Sequence, residues 1–275
     1  MMNVLTVARK EIQEGRRNRW VLATTLLLTG LALTLTFLGS APTGNVGVNQ
    51  LDVVIVSLSS LAIFLLPLIA LLLSHDAIVG ESERGTLILL LSYPVGRSEI
   101  VIGKFLGHLS ILAFSTLIGF GAAAVALVAS GTVISPASWR AFATMLGASI
   151  LLGAVFLSIG YLISTLVRER STAGGVAIGI WLFFVLIYDM ALLGGLVAAQ
   201  GRAVPALLLD GLLLANPTDA YRLLNLGSGA ASTLSGMGGV AAGSSLSAPI
   251  LTLALLLWAI VPLGVANIVF ARREA

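Results

Sequence analysis

The sequence has no cysteine and only two histidines among its 275 residues. Without thiols there is no disulfide, no thiolate metal site and no cysteine nucleophile. His75 and His108 stand far apart, and neither belongs to an H-E-x-x-H pattern, so zinc-protease chemistry has no support. The methionines Met1, Met2, Met145, Met190 and Met237 are scattered and do not form a soft-metal path. No metal and no cofactor is therefore assigned to this chain. A phosphate-binding loop is missing as well. Gly103-Lys104 is followed by Phe105 where the motif needs Ser or Thr, and Ser98 stands where it needs its first glycine. Charge is scarce: 10% of residues are Asp, Glu, Lys or Arg, against about 25% in a soluble domain.

What replaces charge is long apolar runs. Hydrophobic residues make up 58% of the chain, and charges cluster between uncharged stretches. Lipid then solvates most of the surface, and the backbone must satisfy its hydrogen bonds internally, as helices or as a closed barrel. The runs are about 20 residues long, the length of a spanning helix rather than of an alternating barrel strand. The fold class expected is all-α integral membrane with six transmembrane helices: roughly Trp20–Gly39, Val53–Ser74, Val101–Ala129, Trp139–Val167, Ala173–Ala199 and Pro249–Phe270. The first run lacks an A-x-A-like cleavage site and reads as a retained anchor. Pro67 removes a helical hydrogen bond inside the second run and is expected to kink it.

Before the first run, Met1, Val4, Leu5, Ala8 and Ile12 recur at helical spacing, with Arg9, Lys10, Gln13, Arg16 and Arg17 largely opposite. Residues 1–19 thus read as an amphipathic helix lying in the headgroup plane of membrane lipid. Residues 20–275 form the transmembrane domain, with a charged connector at 75–100 and a long segment of small and polar residues at 200–248. Within the latter, Val204–Ala215 is apolar but spans only about 18 Å as a helix, too short to cross. Placing the N-terminus in the cytoplasm puts twelve of the fifteen basic residues inside and leaves Arg140, Arg202 and Arg222 outside. The positive-inside rule favours that orientation, with both termini cytoplasmic. It also accounts for the basic pI near 9.7 without nucleic acid as a partner.

The 75–100 connector carries the most specific pattern: Glu81-Ser82-Glu83-Arg84-Gly85-Thr86-Leu87, then Leu90-Leu91-Ser92-Tyr93-Pro94, then Arg97-Ser98-Glu99-Ile100 and Gly103-Lys104-Phe105. Thr86–Leu91 reads as a short helix preceded by acids, which suit the positive end of its dipole, and Pro94 stops the element. A short helix held outside the bilayer is a handle that a soluble partner could grip.

In this order the motifs resemble the cytoplasmic loop of ABC-2 type exporter permeases, and the layout of N-terminal helix, six spans and long outer segment is similar over nearly the whole chain. The resemblance implies a non-catalytic subunit in a bacterial inner membrane. Two copies would pair and bind two ABC ATPase subunits, which hold the ATP and Mg. The loop would contain the coupling helix, with Glu81, Glu83, Arg84, Gly85, Thr86, Leu87, Leu90, Leu91, Pro94, Arg97 and Glu99 at the ATPase contact, and Arg168 and Arg170 at a second, smaller one. Within the family the chain looks most like the membrane subunits of systems that mature the copper sites of nitrous oxide reductase. Asn216, Pro217, Asp219, Tyr221 and Arg222 would then contact a periplasmic accessory protein.

Other features stay open at this stage. Asp189 lies within the fifth run, where an acid costs roughly 2.5–3.5 kcal/mol and usually faces the bundle interior or water; it is either an interface residue or a hydrated boundary residue. His75-Asp76 reads as a hydrogen-bonded pair at the inner membrane edge. The G-x-x-x-G pairs Gly103/Gly107 and Gly175/Gly179 fit close packing within the chain or between copies. Two other functions are carried forward: a transmitter of ATP-driven motion that moves no cargo, and a secondary transporter or channel. The second needs polar broken helices or inverted repeats, which are not visible. An intramembrane enzyme would need a nucleophile–base or metal set, and none is visible.

Overall fold

The computed structural model describes residues 2–17, 19–38, 50–92, 95–198, 205–227 and 243–272. All regular structure among them is helical. The elements are α1 (Met2–Arg17), α2 (Trp20–Leu38), α3 (Gln50–Ser74), α4 (Val79–Glu83), α5 (Thr86–Leu91), α6 (Arg97–Ala129), α7 (Pro136–Leu166), α8 (Arg170–Leu182), a π-helical turn (Phe183–Ile187), α9 (Tyr188–Ala198), α10 (Ala206–Ala215), α11 (Pro217–Leu226) and α12 (Ala248–Arg272).

Five of these stretches are long and apolar enough to cross a membrane: Gln50–Glu83, Arg97–Ala129, Pro136–Leu166, Arg170–Leu196 and Ala248–Arg272. They match five of the six expected runs. The first run forms α2, whose apolar part, Val21–Phe37, is shorter than the other five. The expected loop at 40–52, with Pro42, Gly44 and Gly47, lies mostly outside the described residues, as do Pro94, Arg202, Arg273 and residues 228–242 of the 200–248 segment.

α7 is the central post. It packs against α3, α12 and α6, and 72% of its most apolar stretch is buried. Its start is set by Ser135, whose hydroxyl accepts the Ser138 N–H at 3.1 Å, with Pro136 at the first helical position. Both choices suit a helix N-terminus, where amide groups lack helical partners and a missing N–H costs nothing. Around this post Leu58, Leu66, Phe120, Phe156 and Tyr161 are fully buried. The fifth long stretch, α8 through α9, differs: only 11% of its most apolar part is buried.

α1 is a helix, as its periodicity suggests, but its buried face is shifted from the one expected. Val7, Ala8 and Glu11 are buried, while Leu5 is exposed. The face lies on the first turns of α6 because Gly103 and Gly107 leave room for it. A Cβ at Gly103 would meet the Val7 Cβ at 2.7 Å and the Val4 carbonyl at 2.9 Å; one at Gly107 would meet Glu11 at 2.6 Å and the Ala8 carbonyl at 3.0 Å. This glycine pair therefore serves close packing within the chain. A Cβ at Gly175 or Gly179 would meet nothing within 4 Å.

Gly107→Leu should push α1 off α6. The expected cost is about 1–3 kcal/mol, the usual range for overpacking, read as a lower thermal midpoint in detergent. Gly179→Leu should leave the midpoint near wild type.

Candidate functional site

Four helices meet where α1, α4 and the starts of α6 and α8 come together. At the centre is Lys104, 3% exposed. Its Nζ lies 2.7 Å from Glu11 Oε1 on α1 and 2.7 Å from Glu81 Oε1 on α4. One buried ammonium thus bridges two carboxylates from different elements. Each bond is charge-assisted and short, and the bridge offsets the several kcal/mol that burying each ion costs. His108, one turn along α6, puts Nε2 3.4 Å from Glu11 Oε2 and Nδ1 2.8 Å from the Tyr161 hydroxyl on α7. Both ring nitrogens of His108 are thus engaged, one by Glu11 and one by Tyr161. Burial pushes the Glu11 carboxyl up, but the His108 hydrogen bond and the Lys104 charge outweigh it and hold the pKa near 2.

α4 is fastened on every side. The Ser164 hydroxyl of α7 accepts the Ile78 and Val79 N–H groups at 2.9 and 3.0 Å, capping the start of α4 from another helix. Glu83 Oε1 accepts the Arg170 N–H at 2.7 Å, and Asp76 Oδ2 lies 2.9 Å from the Arg170 guanidinium. These two acids sit at the N-terminus of α8, where free amides and the helix dipole favour anions. Between α4 and α5 the chain reverses at Gly85 with φ +69°, a conformation that costs glycine little and other residues more. α5 then presents Ile88 and Leu89, 67% and 65% exposed, while Leu87 points inward. Beneath the junction is a polar cavity of about 280 Å³ lined in part by Glu11, His75, Asp76, Glu81, Arg84, Lys104, His108 and Arg170.

The residues expected at an ATPase contact thus divide. Glu81 is buried on Lys104. Glu83, Arg84, Gly85 and Thr86 are exposed along the rim, with Arg84 Nε donating to the Gly80 carbonyl and Thr86 Oγ1 to the Glu81 carbonyl. Leu90 and Leu91 complete α5, their side chains outside the described set, and Pro94 is outside it altogether. Arg97 instead caps the C-terminus of α12, donating to the Phe270 and Ala271 carbonyls at 3.2 Å each. Glu99 accepts the Gly96 N–H at 3.0 Å and starts its own helix. Arg168 is exposed beside the α8 start. His75 and Asp76 are not a pair: His75 Nδ1 lies 3.1 and 3.2 Å from the Leu72 and Leu71 carbonyls, and Asp76 takes Arg170. Among the described residues no group of three or more His, Asp or Glu is arranged to hold a metal ion.

A second polar cluster lies toward the other end. Asn216 caps α11: its Oδ1 accepts the Thr218 N–H at 3.0 Å, and Pro217 takes the first helical position. Asn216 Nδ2 and Thr218 Oγ1 both donate to the Phe184 carbonyl, at 3.0 and 3.2 Å. Phe184 belongs to the π-helical turn, where the regular hydrogen-bond ladder is interrupted. Arg222 pairs with Asp189, its Nη2 lying 3.2 Å from Oδ2, and its Nη1 lies 3.1 Å from Asp219 Oδ1. Burial pushes the Asp219 carboxyl up, Arg222 pulls it back and Asp189 raises it again, leaving it near 6. The Tyr221 hydroxyl sits 2.8 Å from that of Ser149.

These residues were expected to face an outer partner. The structure turns them inward: Asn216, Pro217, Asp219 and Tyr221 are buried and Arg222 is half-buried. Their chemistry is consumed in capping α11 and fixing it to α9. Asp189 is accordingly an ion-pair partner within the chain. Sequence reasoning missed α4, Ser164 and the π-helical turn. Glu11 was legible in principle, because it falls three residues after Ala8 and four after Val7, on the stripe that is buried.

The sequence has known relatives. The model of the ABC-2 family transporter protein matches residues 5–275. The chain is 50% identical over 271 residues to the "Probable ABC transporter permease protein NosY" of Pseudomonas aeruginosa, with 98% of each chain covered. It is 49% identical over 277 residues to the protein of the same name from Stutzerimonas stutzeri, with 99% of each covered.

Lys104→Met should destabilise the protein by about 3–5 kcal/mol, because it leaves two buried carboxylates facing each other. Adding Glu11→Gln and Glu81→Gln should recover most of the thermal midpoint. Acid gives a second check. Glu11 has its pKa lowered from 4.5 to about 2 on folding, so its contribution is fully present above pH 4.5 and is lost as pH falls from 4.5 toward 2. Glu11→Gln should flatten that limb of a stability–pH curve.

Proposed function

The chain belongs to the ABC-2 transporter family, and from that membership we propose that it is the membrane subunit through which a separate ABC ATPase acts. In this reading two copies pair and bind two ATPase subunits, which carry the ATP and Mg. α1, α4 and α5 face the cytoplasm of a bacterium, as the distribution of basic residues favours. α2 completes six spans: its 19 residues reach roughly 28 Å, close to the hydrocarbon thickness of about 30 Å. α1 lies along the inner surface against lipid headgroups.

The observation that carries the reading is the α4–α5 junction. A docking element must offer a graspable apolar surface and must be rigidly tied to what it moves. α5 exposes Ile88 and Leu89, and α4 beneath it is bonded to α1, α6, α7 and α8 through Lys104, Ser164 and Glu83. A mere connector between spans has no need of four anchors. The outer segment 200–248 would meet a periplasmic accessory protein, using surface other than the inward-facing Asn216–Arg222 group. The likeness to the two NosY proteins supports a role in maturation of the copper sites of nitrous oxide reductase.

Two versions of the action differ in what crosses the membrane: an exported species, or movement alone. The sparse packing of α8–α9 and its polar ties at both ends favour the second.

Purification of the tagged chain from its native membranes in mild detergent should recover a soluble ATPase at one copy per chain, in particles holding two of each. Ile88→Asp with Leu89→Asp should cut that recovery about tenfold, the effect expected when apolar anchors are lost from the centre of an interface. Glu83→Lys places a cation at the α8 N-terminus and should lower ATPase coupling while leaving the bundle folded. Recovery of the chain with no ATPase would overturn the reading.

A further inference from the structure

Resting on that reading, we infer that the α8–α9 stretch is the rod that carries movement of the coupling loop to the outer segment, with Glu83 and Asp76 as positioning residues at its inner end and Thr218, Arg222 and Tyr188 at its outer end. Three observations converge on this helix.

The first is how little of its length is buried. Among its described residues only Ala173, Ala177 and Val185 are buried. One flank packs on the core through partly buried side chains: Phe184 lies edge-on to Phe156 of α7 and Trp258 of α12, and Trp181 Nε1 donates to the Phe64 carbonyl of α3 at 3.0 Å. A helix that gives only one narrow flank to the core around α7 can tilt with less repacking than a helix buried on all sides would need.

The second is where it is held. At the inner end the Glu83 carboxylate takes the Arg170 amide and Asp76 takes the Arg170 guanidinium. Glu83 is the last residue of α4, immediately before the turn into α5. Any displacement of that turn is therefore applied directly to the first residue of α8. At the outer end, Thr218 and Asn216 grip the Phe184 carbonyl, Asp189 pairs with Arg222, and the Tyr188 hydroxyl donates to the Leu212 carbonyl at 2.8 Å. These bonds reach α10 and α11 together. From Arg170 to Asp189 the helix spans roughly 28 Å.

The third is the π-helical turn. The Tyr188 N–H bonds back to the Phe183 carbonyl, five residues away. A π turn is a local widening that often marks a functional position. Here it lies beneath the outer clamp, so the outer segment holds the helix where its hydrogen-bond ladder is interrupted. Two side-chain donors of the outer segment converge on that one main-chain carbonyl, so the segment is tied to the backbone of the helix and not only to its side chains.

The absence of cysteine allows single reporters to be placed directly. Ser171 at the inner end and Leu207 on α10 are both exposed, so each would be changed to Cys and labelled with an environment-sensitive fluorophore. The labelled chain, bound to its ATPase in nanodiscs, is then given ATP and Mg. Both reporters should respond. In the variant Tyr188→Phe, Asp189→Asn, Thr218→Val, Arg222→Gln, which removes the outer ties but keeps the Asn216 cap, Ser171 should respond as before. The Leu207 response should fall about fivefold or more, the lower end of typical coupling between sites. If that variant loses the Ser171 response through misfolding, the Asp189→Asn, Arg222→Gln pair alone is read in the same way.

An unchanged Leu207 response after release of the outer ties would overturn the rod, as would a Leu207 response with Ser171 silent. If the ATPase is bound and neither reporter responds, the rod carries nothing and the inference fails while the docking reading stands. If no ATPase is bound, the docking reading itself has failed and the rod with it.

Discussion

A single buried ammonium organises the inner end of this protein. Lys104 lies within a long apolar helix, and its charge can be tolerated only if anionic partners reach it. The two that do come from elements far apart in the chain, Glu11 before the first apolar run and Glu81 after the second. The bridge therefore draws α1 and α4 onto α6 as a requirement of solvation, not merely as an added contact. The glycines at 103 and 107 on the same helix serve the same end. They let the α1 backbone approach closely enough for Glu11 to reach Lys104 and His108. One Glu81 oxygen is bonded to Lys104, while Oε2 is buried without a hydrogen-bond partner. Among the described residues of the network that oxygen is an incompletely compensated point, and Glu81 is one of the residues lining the polar cavity.

Given that anchor, the acidic motif of the loop has a residue-by-residue meaning. Glu81 is spent on α6, Glu83 on the first amide of α8, and Gly85 on the left-handed turn that separates α4 from α5. The three positions lie at alternate residues because a single short helix must present one acid inward and the next toward α8, and then end. Ile88 and Leu89 remain exposed once those obligations are met. The exposed apolar surface of α5 is thus the part of the loop the rest of the chain does not use.

The bilayer's demands were plain in the sequence, and the particular pairings were not. Apolar run length and scarcity of charge located five long stretches, because each is a property of one segment read alone. α2 differs because its apolar run is the shortest of the six expected spans. The motif at 81–104 singled out this loop through its resemblance to a family, yet the roles its residues play within the chain were hidden. Glu81 looks like a surface acid until Lys104 is known to lie beneath it. Arg97, placed by the same motif at a partner contact, caps α12 more than 170 positions away. The Asn216–Arg222 group misled in the opposite sense. A polar cluster in an outer segment suggests solvent or a partner, but its side chains close on one another and on the Phe184 carbonyl. Pairings between distant segments leave no trace in local periodicity, so they are what sequence reading cannot supply without relatives.

The two polar clusters are joined by the helix that is least embedded. α7 is buried along most of its apolar length and serves as the fixed frame; α8–α9 is buried along little of it. Polar ties suit the ends of a moving helix better than apolar packing does, because hydrogen bonds and ion pairs fix direction as well as distance. Apolar packing along its length would instead bind it to the frame. An open face with Gly175 and Gly179 uncovered is also what a second copy could press against without steric conflict. In the proposed pair of copies the same exposure would serve pairing and movement together: a helix held by its ends, with its flank left for a twin, would shift relative to its own bundle while remaining in register with the other.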